Sequence, residues 1–247
     1  MTRASPQLSV IVPAHNEAGN LPTLIDEIAA AFADNDRIEI IVVDDASSDG
    51  TNSVLHDAQL RLPMLRVLRH QRQIGQSGAL LTGVWAARGQ WIGTLDGDGQ
   101  NDPADLPRLL QAIEERQDPN LKLIQGWRVS RRDTWLKRIS SKIANRVRRG
   151  LLGDATPDSG CGIRVIERDT LRRLPAFNHM HRFIPALVRQ QGWQIDSLPV
   201  NHRPRGAGSS HYGLFGRLGA GVVDLLGVAW LGRRTRRAGV QEINPPT

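Results

Sequence analysis

The sequence is short of cysteine, of aromatic side chains and of long apolar runs. Its one cysteine, Cys161, excludes an intrachain disulfide and gives no sign of an oxidising compartment. Aromatic residues make up 4% of the chain, and no recognition-helix or RNA-platform motif is present, which argues against a nucleic-acid partner. The best candidate for a membrane span, residues 213–231, is interrupted by Arg217 and Asp224, and the apolar residues 8–12 are too few for a signal peptide. We therefore expect one compact unit with a tail.

Acidic and basic residues are segregated along the chain. The net charge is +7 overall, yet residues 1–120 carry a net charge of −8 and residues 121–247 a net charge of +15. A basic half suits nucleic acid, an anionic membrane surface or a phosphorylated substrate. Because the scarcity of aromatic residues disfavours nucleic acid, phosphate chemistry near a membrane is the better interpretation.

Apolar segments typical of strands alternate with helix-like segments. The predicted strands are residues 8–12, 38–43, 65–68, 90–95, 121–126, 161–164 and 195–200. Helices are predicted to begin near residues 21, 51, 75 and 103, and another spans residues 182–191. This alternation predicts an α/β fold with a mostly parallel central sheet flanked by helices, whose ligands bind outside the carboxyl ends of the strands.

Three polar clusters, residues 13–17, 44–49 and 96–102, each follow a predicted strand at that edge. In the last of them Asp96 and Asp98 are one residue apart, with no His or Cys nearby, so they can hold one hard cation, Mg²⁺ or Mn²⁺ and not zinc. The glycines at 97 and 99 let the backbone approach a ligand such as a nucleotide diphosphate. The alternative is that such a cluster is an ordinary surface turn. That alternative could account for one cluster, but it accounts less well for three clusters at the same edge of the sheet.

A basic segment follows the fifth predicted strand. Residues 128–149 contain nine basic residues and one acidic residue. Arg128, Arg131 and Arg132 come first, next to the strand edge, and are candidate anion ligands. The later basic stripe, at residues 138, 142, 146 and 149, is equally consistent with the solvated face of a helix.

With these residues in view, the sequence resembles the family 2 glycosyltransferases, and within them the polyprenyl-phosphate sugar synthases of the dolichyl-phosphate mannosyltransferase type. The matching motifs are residues 12–17, 43–51, 96–103, 158–164 and 205–213. The first three are shared by the family at large. The Arg-x-x-Gly-x-Ser-x-Tyr element from Arg205 and the basic segment are what indicate a lipid-phosphate acceptor.

The resemblance implies a GT-A type catalytic domain over residues 1–212 that binds a nucleotide sugar, either GDP-mannose or a UDP-sugar. It implies that the donor nucleotide is bound by Pro13, Glu17, Asp44, Asp45, Asp96 and Ser210. The implied ligands of Mg²⁺ or Mn²⁺ are Asp96, Asp98 and Gln100. The implied catalytic residues are Asp98, Arg128, Arg132, Asp158 and Arg205. The arginines would bind the donor and acceptor phosphates, and Asp158 would contact a sugar hydroxyl or orient an arginine.

The sequence departs from the family pattern in two places. His211 stands where relatives often have Lys, and the pair of transmembrane segments that many relatives carry is missing. We therefore expect residues 213–247 to form an amphipathic interfacial helix with a basic tail on the inner face of the membrane, or a membrane subunit to provide attachment. The predicted apolar face comprises Leu214, Leu218, Val222, Leu225 and Ala229. A helix packed on the protein's own core is the alternative.

The expected reaction is an inverting transfer of a sugar to the phosphate of a polyprenyl phosphate. A phosphate oxygen is already largely anionic at neutral pH, so no strong general base is needed. One rival is transfer to a saccharide hydroxyl, which would need Asp102 or Asp158 as a base. The other is a non-catalytic module that binds nucleic acid or a membrane. Such a module would not use the three polar clusters at the sheet edge.

Overall fold

The computed structural model describes residues 5–35, 37–128, 148–154, 156–204 and 214–234, apart from the side chains of residues 214–220. The strands are β1 (Leu8–Ala14), β2 (Ile38–Asp44), β3 (Leu65–Arg69), β4 (Trp91–Thr94), β5 (Leu121–Arg128), β6 (Arg164–Glu167) and β7 (Gln194–Val200). The helices are α1 (Leu21–Ala31), α2 (Thr51–Arg61), α3 (Gln76–Ala86), α4 (Asp105–Glu115), α5 (Arg168–Arg172), α6 (Ile184–Gln190) and α7 (Leu214–Arg234), and a 3₁₀ turn covers Met180–Arg182.

The strands form one sheet in the order β3-β2-β1-β4-β6-β5-β7. Strand β6 is antiparallel to both β4 and β5, and the other neighbours are parallel. The predicted α/β fold with a mostly parallel sheet is therefore confirmed. The carboxyl ends of β1, β4 and β5 and the start of the reversed strand β6 lie at the same edge, where ligands bind in sheets of this kind.

Several predicted elements have slightly different bounds in the structure, and two of the differences have a local cause. The strand expected at residues 161–164 begins only at Arg164, because Cys161 donates its N–H to the Asp158 carbonyl oxygen in a turn. Cys161 and Ile163 are buried although they precede the strand, so their apolar side chains resemble those of a strand in the sequence. The helix expected at residues 182–191 begins at Ile184, with a proline in its first turn and the 3₁₀ turn before it.

The sheet is covered on both faces. Val10 and Val12 of β1 pack in a cluster with α1 and α4, whereas Ile11 packs on the opposite face with α3. A Cβ on Gly83 of α3 would lie 2.5 Å from Ile11 Cγ2, so glycine allows this helix to approach β1 closely. Each such apolar side chain contributes about 1.5–3 kcal/mol when fully buried. The packed sheet therefore provides a rigid base for the loops at its carboxyl edge.

Among the side chains of α7 that the structure describes, those on one face pack on the protein. Val228 and Ala229 are buried against the cluster that includes α6, and Leu225 packs against the same cluster. Asp224 Oδ2 lies 2.9 Å from His179 Nδ1, next to the 3₁₀ turn. Of the predicted apolar face, Leu225 and Ala229 face the core and Val222 is exposed, whereas the side chains of Leu214 and Leu218 lie outside the described part.

The other face of α7 exposes apolar side chains, namely Val222, Val223, Leu226 and Trp230. Trp230 is 61% exposed, and the guanidinium of Arg234 lies 5.9 Å from its ring centroid. Among the helices of the described part of the chain, none is both long enough and apolar enough to span a membrane.

Candidate active site

A cleft of about 570 Å³ opens at the carboxyl edge of the sheet. Its charged lining residues are two aspartates and four arginines: Asp96, Asp98, Arg128, Arg148, Arg164 and Arg182. Four of the sequence-predicted site residues line the cleft: Pro13, Asp96, Asp98 and Arg128. Acidic and basic groups thus face one space, which suits a cation bound together with anions.

Asp96 is held from three sides. Its N–H donates to Asn101 Oδ1 at 3.1 Å, and its Oδ1 accepts a hydrogen bond from Gln76 Nε2 at 2.7 Å. A Cβ on Gly162 would lie 2.2 Å from Asp96 Oδ2, so a glycine at 162 is what leaves room for the carboxylate. The orientation of Asp96 is therefore set by α3 and by the turn before β6 as well as by its own turn.

The carboxylates of Asp96 and Asp98 fit a shared divalent cation. Burial, together with the charge of Asp98, raises the pKa of Asp96 above its ordinary value, and a bound cation would reverse that effect. The Gln100 N–H donates to Asp98 Oδ1 at 3.1 Å and fixes the turn. Within the described ranges no group of three or more His, Cys, Asp or Glu side chains could hold a metal. The further ligands would then be Gln100, water and substrate oxygens, a set typical of Mg²⁺.

Arg128, the last residue of β5, forms a forked pair with Asp158. Its Nε donates to Asp158 Oδ2 at 2.6 Å, and its Nη2 donates to Oδ1 at 2.9 Å. Burial alone would lower the pKa of Arg128, but the hydrogen bonds and charge of Asp158 raise it. The pair keeps Arg128 charged and fixes its guanidinium in the wall of the cleft.

Arg148 fixes the neighbouring wall. Its Nε donates to Asp154 Oδ2 at 2.8 Å, its Nη2 donates to the carbonyl oxygen of Arg182 at 3.0 Å, and its Nη1 donates to Ser159 Oγ. The guanidinium also lies 5.4 Å from the ring centroid of Phe183. Through these contacts Arg148 ties Asp154, Ser159 and Arg182 together at this wall of the cleft.

The predicted donor-binding acids are not among the residues that line the cleft. Asp44 is fully buried, and its Oδ1 accepts from the Ser47 N–H at 2.9 Å. The Asp45 carboxylate accepts from the backbone N–H groups of Ile74 at 2.9 Å and of Gly75 at 2.7 Å, and so fixes the start of α3. Glu17 Oε2 accepts from the Asn20 side chain at 2.6 Å. None of these three acids lines the cleft, whereas Pro13 does.

The remaining sequence-predicted site residues, Arg132, Arg205 and Ser210, lie outside the described residues. The cleft also contains polar side chains that were not predicted as site residues: Gln76, Arg164, His181 and Arg182. Gln76 and Arg182 belong to predicted helices, and His181 comes just before one. Two signals were available: Arg164 ends the 158–164 motif, and Gln76 follows a glycine at the start of α3, where a helix N-terminus meets the ligand edge of the sheet.

A parallel α/β sheet with paired aspartates and clustered arginines at its carboxyl edge is the arrangement of a GT-A glycosyltransferase. Residues 9–174 match the model of glycosyl transferase family 2, and the chain belongs to that family. It is 36% identical over 239 residues to the dodecaprenyl-phosphate galacturonate synthase of Rhizobium johnstonii, covering 94% of this chain and 69% of the relative. It is 31% identical over 210 residues to an Aeromonas hydrophila undecaprenyl-phosphate 4-deoxy-4-formamido-L-arabinose transferase, covering 84% and 63%. The chain thus spans about two thirds of these relatives.

Solved structures share the fold. A mannosyltransferase from Pyrobaculum calidifontis, in complex with GDP-mannose and Mn²⁺, superposes with a TM-score of 0.69 at 22% identity, covering 96% of this chain and 67% of that one. The glucosyl-3-phosphoglycerate synthase of Mycobacterium tuberculosis, with Mg²⁺ and UDP, gives a TM-score of 0.67 at 18% identity, covering 95% and 82%. Both likenesses extend over nearly the whole chain, beyond the residues of the family model.

Proposed function

We propose that this protein transfers a sugar, with inversion, from a nucleotide diphosphate sugar to a polyprenyl phosphate. The donor would be GDP-mannose or a UDP-sugar, and the acceptor undecaprenyl, dodecaprenyl or dolichyl phosphate. Two relatives that are 31% and 36% identical carry names of polyprenyl-phosphate sugar transferases, which supports this acceptor class. The two aspartates of the cleft would suit a cation, and its four arginines would suit more than one phosphate.

The observation that carries this proposal is that both candidate general bases, Asp102 and Asp158, are paired with arginines. Asp102 accepts from Arg203 Nη2 at 2.7 Å, and both carboxylate oxygens of Asp158 accept from Arg128. A saccharide hydroxyl needs a base to remove its proton, whereas both candidate carboxylates already accept hydrogen bonds from arginines. A phosphate acceptor needs no base, so these ion pairs favour it over the hydroxyl alternative.

In the proposed reaction Asp96, Asp98 and Gln100 hold a divalent cation, Mg²⁺ or Mn²⁺. When bound, the cation neutralises the diphosphate leaving group. Gln76 orients Asp96 through its 2.7 Å hydrogen bond. Pro13, Glu17, Asp44, Asp45 and Ser210 would form or support the donor-nucleotide site. Arg128, Arg132 and Arg205 would hold the donor and acceptor phosphates together against their mutual repulsion, with Asp158 orienting Arg128.

We further propose that the protein works on the cytoplasmic face of a membrane. Residues 1–212 would form the catalytic domain, and residues 213–247 the interfacial segment. Val222, Val223, Leu226 and Trp230 form an exposed apolar stripe on α7, and the exposed Arg233 and Arg234 follow it. Such a stripe with adjacent cations suits an anionic lipid surface. A membrane subunit could share this role.

A thermal-shift panel of GDP- and UDP-sugars, with and without Mn²⁺, tests the donor site. We expect one donor to raise the melting temperature only when the cation is present. That donor is then assayed for transfer to undecaprenyl phosphate and, in parallel, to saccharide acceptors. Transfer to saccharides alone would favour the hydroxyl alternative, and the absence of any cation-dependent nucleotide binding would indicate a non-catalytic module.

A further inference from the structure

The guanidinium of Arg164 lines the cleft without an ion pair. Arg164 is the first residue of β6 and is 4% exposed. Its Nη1 donates to the carbonyl oxygen of His181 at 3.1 Å and its Nη2 to that of Cys161 at 2.7 Å, whereas its buried Nε has no hydrogen-bond partner. In the part of the chain that the structure describes, Arg164 forms no ion pair with a carboxylate. A buried cation whose direct partners are all neutral is costly, and an incoming anion would relieve that cost.

Two neighbouring arginines of the cleft differ from Arg164 in this respect. Arg128 is paired with Asp158 and Arg148 with Asp154. The pKa of Arg164 is lowered, first by burial, whereas the pKa of Arg128 is raised by its partner. Asp96 and Asp158 act on Arg164 through their charges, but no carboxylate is in direct contact with it, so its guanidinium can still accept an anionic ligand as a partner.

His181 provides a second hydrogen-bond donor beside Arg164. Ser77 Oγ accepts from the backbone N–H of His181 at 3.3 Å and lies 2.8 Å from its ring Nδ1. We assign the Ser77 hydroxyl as the donor to Nδ1, which places the ring proton on Nε2. Burial, with the charges of Arg164 and Arg182, lowers the pKa of His181 to about 3, so the ring is neutral at physiological pH. The free ring N–H is then a donor in a residue that lines the cleft.

We propose that Arg164 and His181 form an oxyanion subsite inside the cleft, which binds either the acceptor phosphate or a carboxylate on the transferred sugar. The inference deepens the proposed function and rests on it. Both side chains offer donors and no acceptor in this arrangement, so an oxygen that only accepts hydrogen bonds satisfies them best. Arg182 lines the same cleft and adds positive charge, whereas the cation side of the cleft is formed by Asp96 and Asp98.

Binding measurements with two probes test the subsite without depending on turnover. Farnesyl phosphate serves as a short polyprenyl phosphate, and UDP-glucuronate is compared with UDP-glucose in the presence of Mn²⁺, all by calorimetry. The variants are Arg164→Gln, His181→Asn and the conservative His181→Gln, which keeps an N–H near the position of Nε2. Arg189→Gln removes an exposed arginine on α6 and is the matched control.

If the phosphate binds here, Arg164→Gln and His181→Asn weaken farnesyl phosphate at least about tenfold, while the control and UDP-glucose are unaffected. If a sugar carboxylate binds here, the same variants reduce the preference for UDP-glucuronate over UDP-glucose by about tenfold, and His181→Gln recovers part of it. The subsite is overturned if the wild type binds neither probe, or if folded variants bind both as the wild type does. In the second case, intact transfer to polyprenyl phosphate would leave the proposed function standing.

Should Arg164→Gln not fold, the two His181 variants decide the question, because the ring is only partly buried. A tenfold loss with Asn that Gln partly restores supports the subsite, and equal binding by both variants and the wild type overturns it.

Discussion

Arg203 Nη2 donates to Asp102 Oδ1 at 2.7 Å, which joins the residues after β7 to the turn that carries Asp96 and Asp98. The same guanidinium donates through Nη1 to both carboxylate oxygens of Glu27 at 2.8 Å. In the backbone, the Arg203 N–H donates to the Gln100 carbonyl oxygen at 2.9 Å. One arginine thus connects the predicted metal turn with α1 and with the segment that leads to Arg205.

We expect Arg203→Ala to raise the Mn²⁺ concentration needed for half-maximal activity severalfold, because the turn that positions Asp98 loses a restraint. A Mn²⁺ titration of activity measures this effect. Arg61→Ala, which breaks an exposed pair with Asp26 on α1, is the control and should leave the titration unchanged. An unchanged titration in both variants would show that the turn does not depend on Arg203.

Asp98→Ala should reduce turnover at least about a hundredfold while the protein remains folded, because the cation loses a carboxylate ligand. Activity with Mg²⁺ and with Mn²⁺, together with circular dichroism, measures both effects. Asp57→Ala removes an exposed carboxylate from α2 and should behave as the wild type. Near-normal transfer by folded Asp98→Ala would disprove the assignment of the metal site.

Arg172 stabilises the carboxyl end of α3. Its guanidinium donates to the carbonyl oxygens of Val84, Trp85 and Ala87, and it lies 5.3 Å from the ring centroid of Trp85. Because charged groups donate the stronger hydrogen bonds, we expect Arg172→Ala to lower the free energy of unfolding by about 1.5–3 kcal/mol. Urea unfolding measures this, with Arg173→Ala, at an exposed neighbouring position, as the control. Equal stability of the two variants would contradict the capping role.

The carboxylate of Asp45 makes stability depend on acid pH. Burial alone would raise its pKa, but hydrogen bonds from His70, Ile74 and Gly75 lower it below the ordinary value of 3.8. A pKa that is lower in the folded state gives stability that is present above the unfolded pKa and is lost as the pH falls through the folded pKa. Asp45→Asn should therefore reduce stability at pH 7 and flatten the loss below about pH 4. Urea unfolding from pH 7 to pH 3 measures this, and Asp57→Asn should keep the wild-type slope.

The exposed face of α7 should determine binding to anionic lipid vesicles. Trp230→Glu replaces a 61% exposed aromatic residue with a charge, so cosedimentation with these vesicles should fall severalfold. High salt should weaken what remains, because the Debye length shrinks to about 3 Å at 1 M. Leu60→Glu, on α2, changes a 75% exposed apolar residue and is the control. Binding that persists after deletion of residues 213–247 would move the attachment site to the basic segment at residues 138–149.

The sequence predicted the sheet well because its strands are apolar and their turns are polar. The alternation around β1, β2 and β4 needs no tertiary information, and the Asp96-x-Asp98 spacing marks the turn by composition alone. The direction of β6 could not be predicted, since a four-residue strand carries no sign of which neighbour it pairs with.

The inner wall of the cleft was also beyond the sequence. Arg164 and His181 are 17 residues apart in the chain and meet because a strand and a 3₁₀ turn pack together. The sequence does not show whether a given arginine is buried, as Arg164 is, or exposed. The division of α7 into a packed and an exposed apolar face could not be predicted either. Its apolar residues cover a wide part of the helix surface, and the sequence does not show which of them pack on the core.

The reversed direction of β6 has a consequence for how this enzyme could be remodelled. The Gly126 N–H of β5 donates to the Ile163 carbonyl oxygen, just before β6, at 3.0 Å. Because β5 and β6 are antiparallel, β5 ends and β6 begins at the same edge of the sheet, beside the cleft. We expect exchange of residues 129–147 with those of a relative to change the acceptor preference, while the seven strands and the turn that carries Asp96 and Asp98 stay in place.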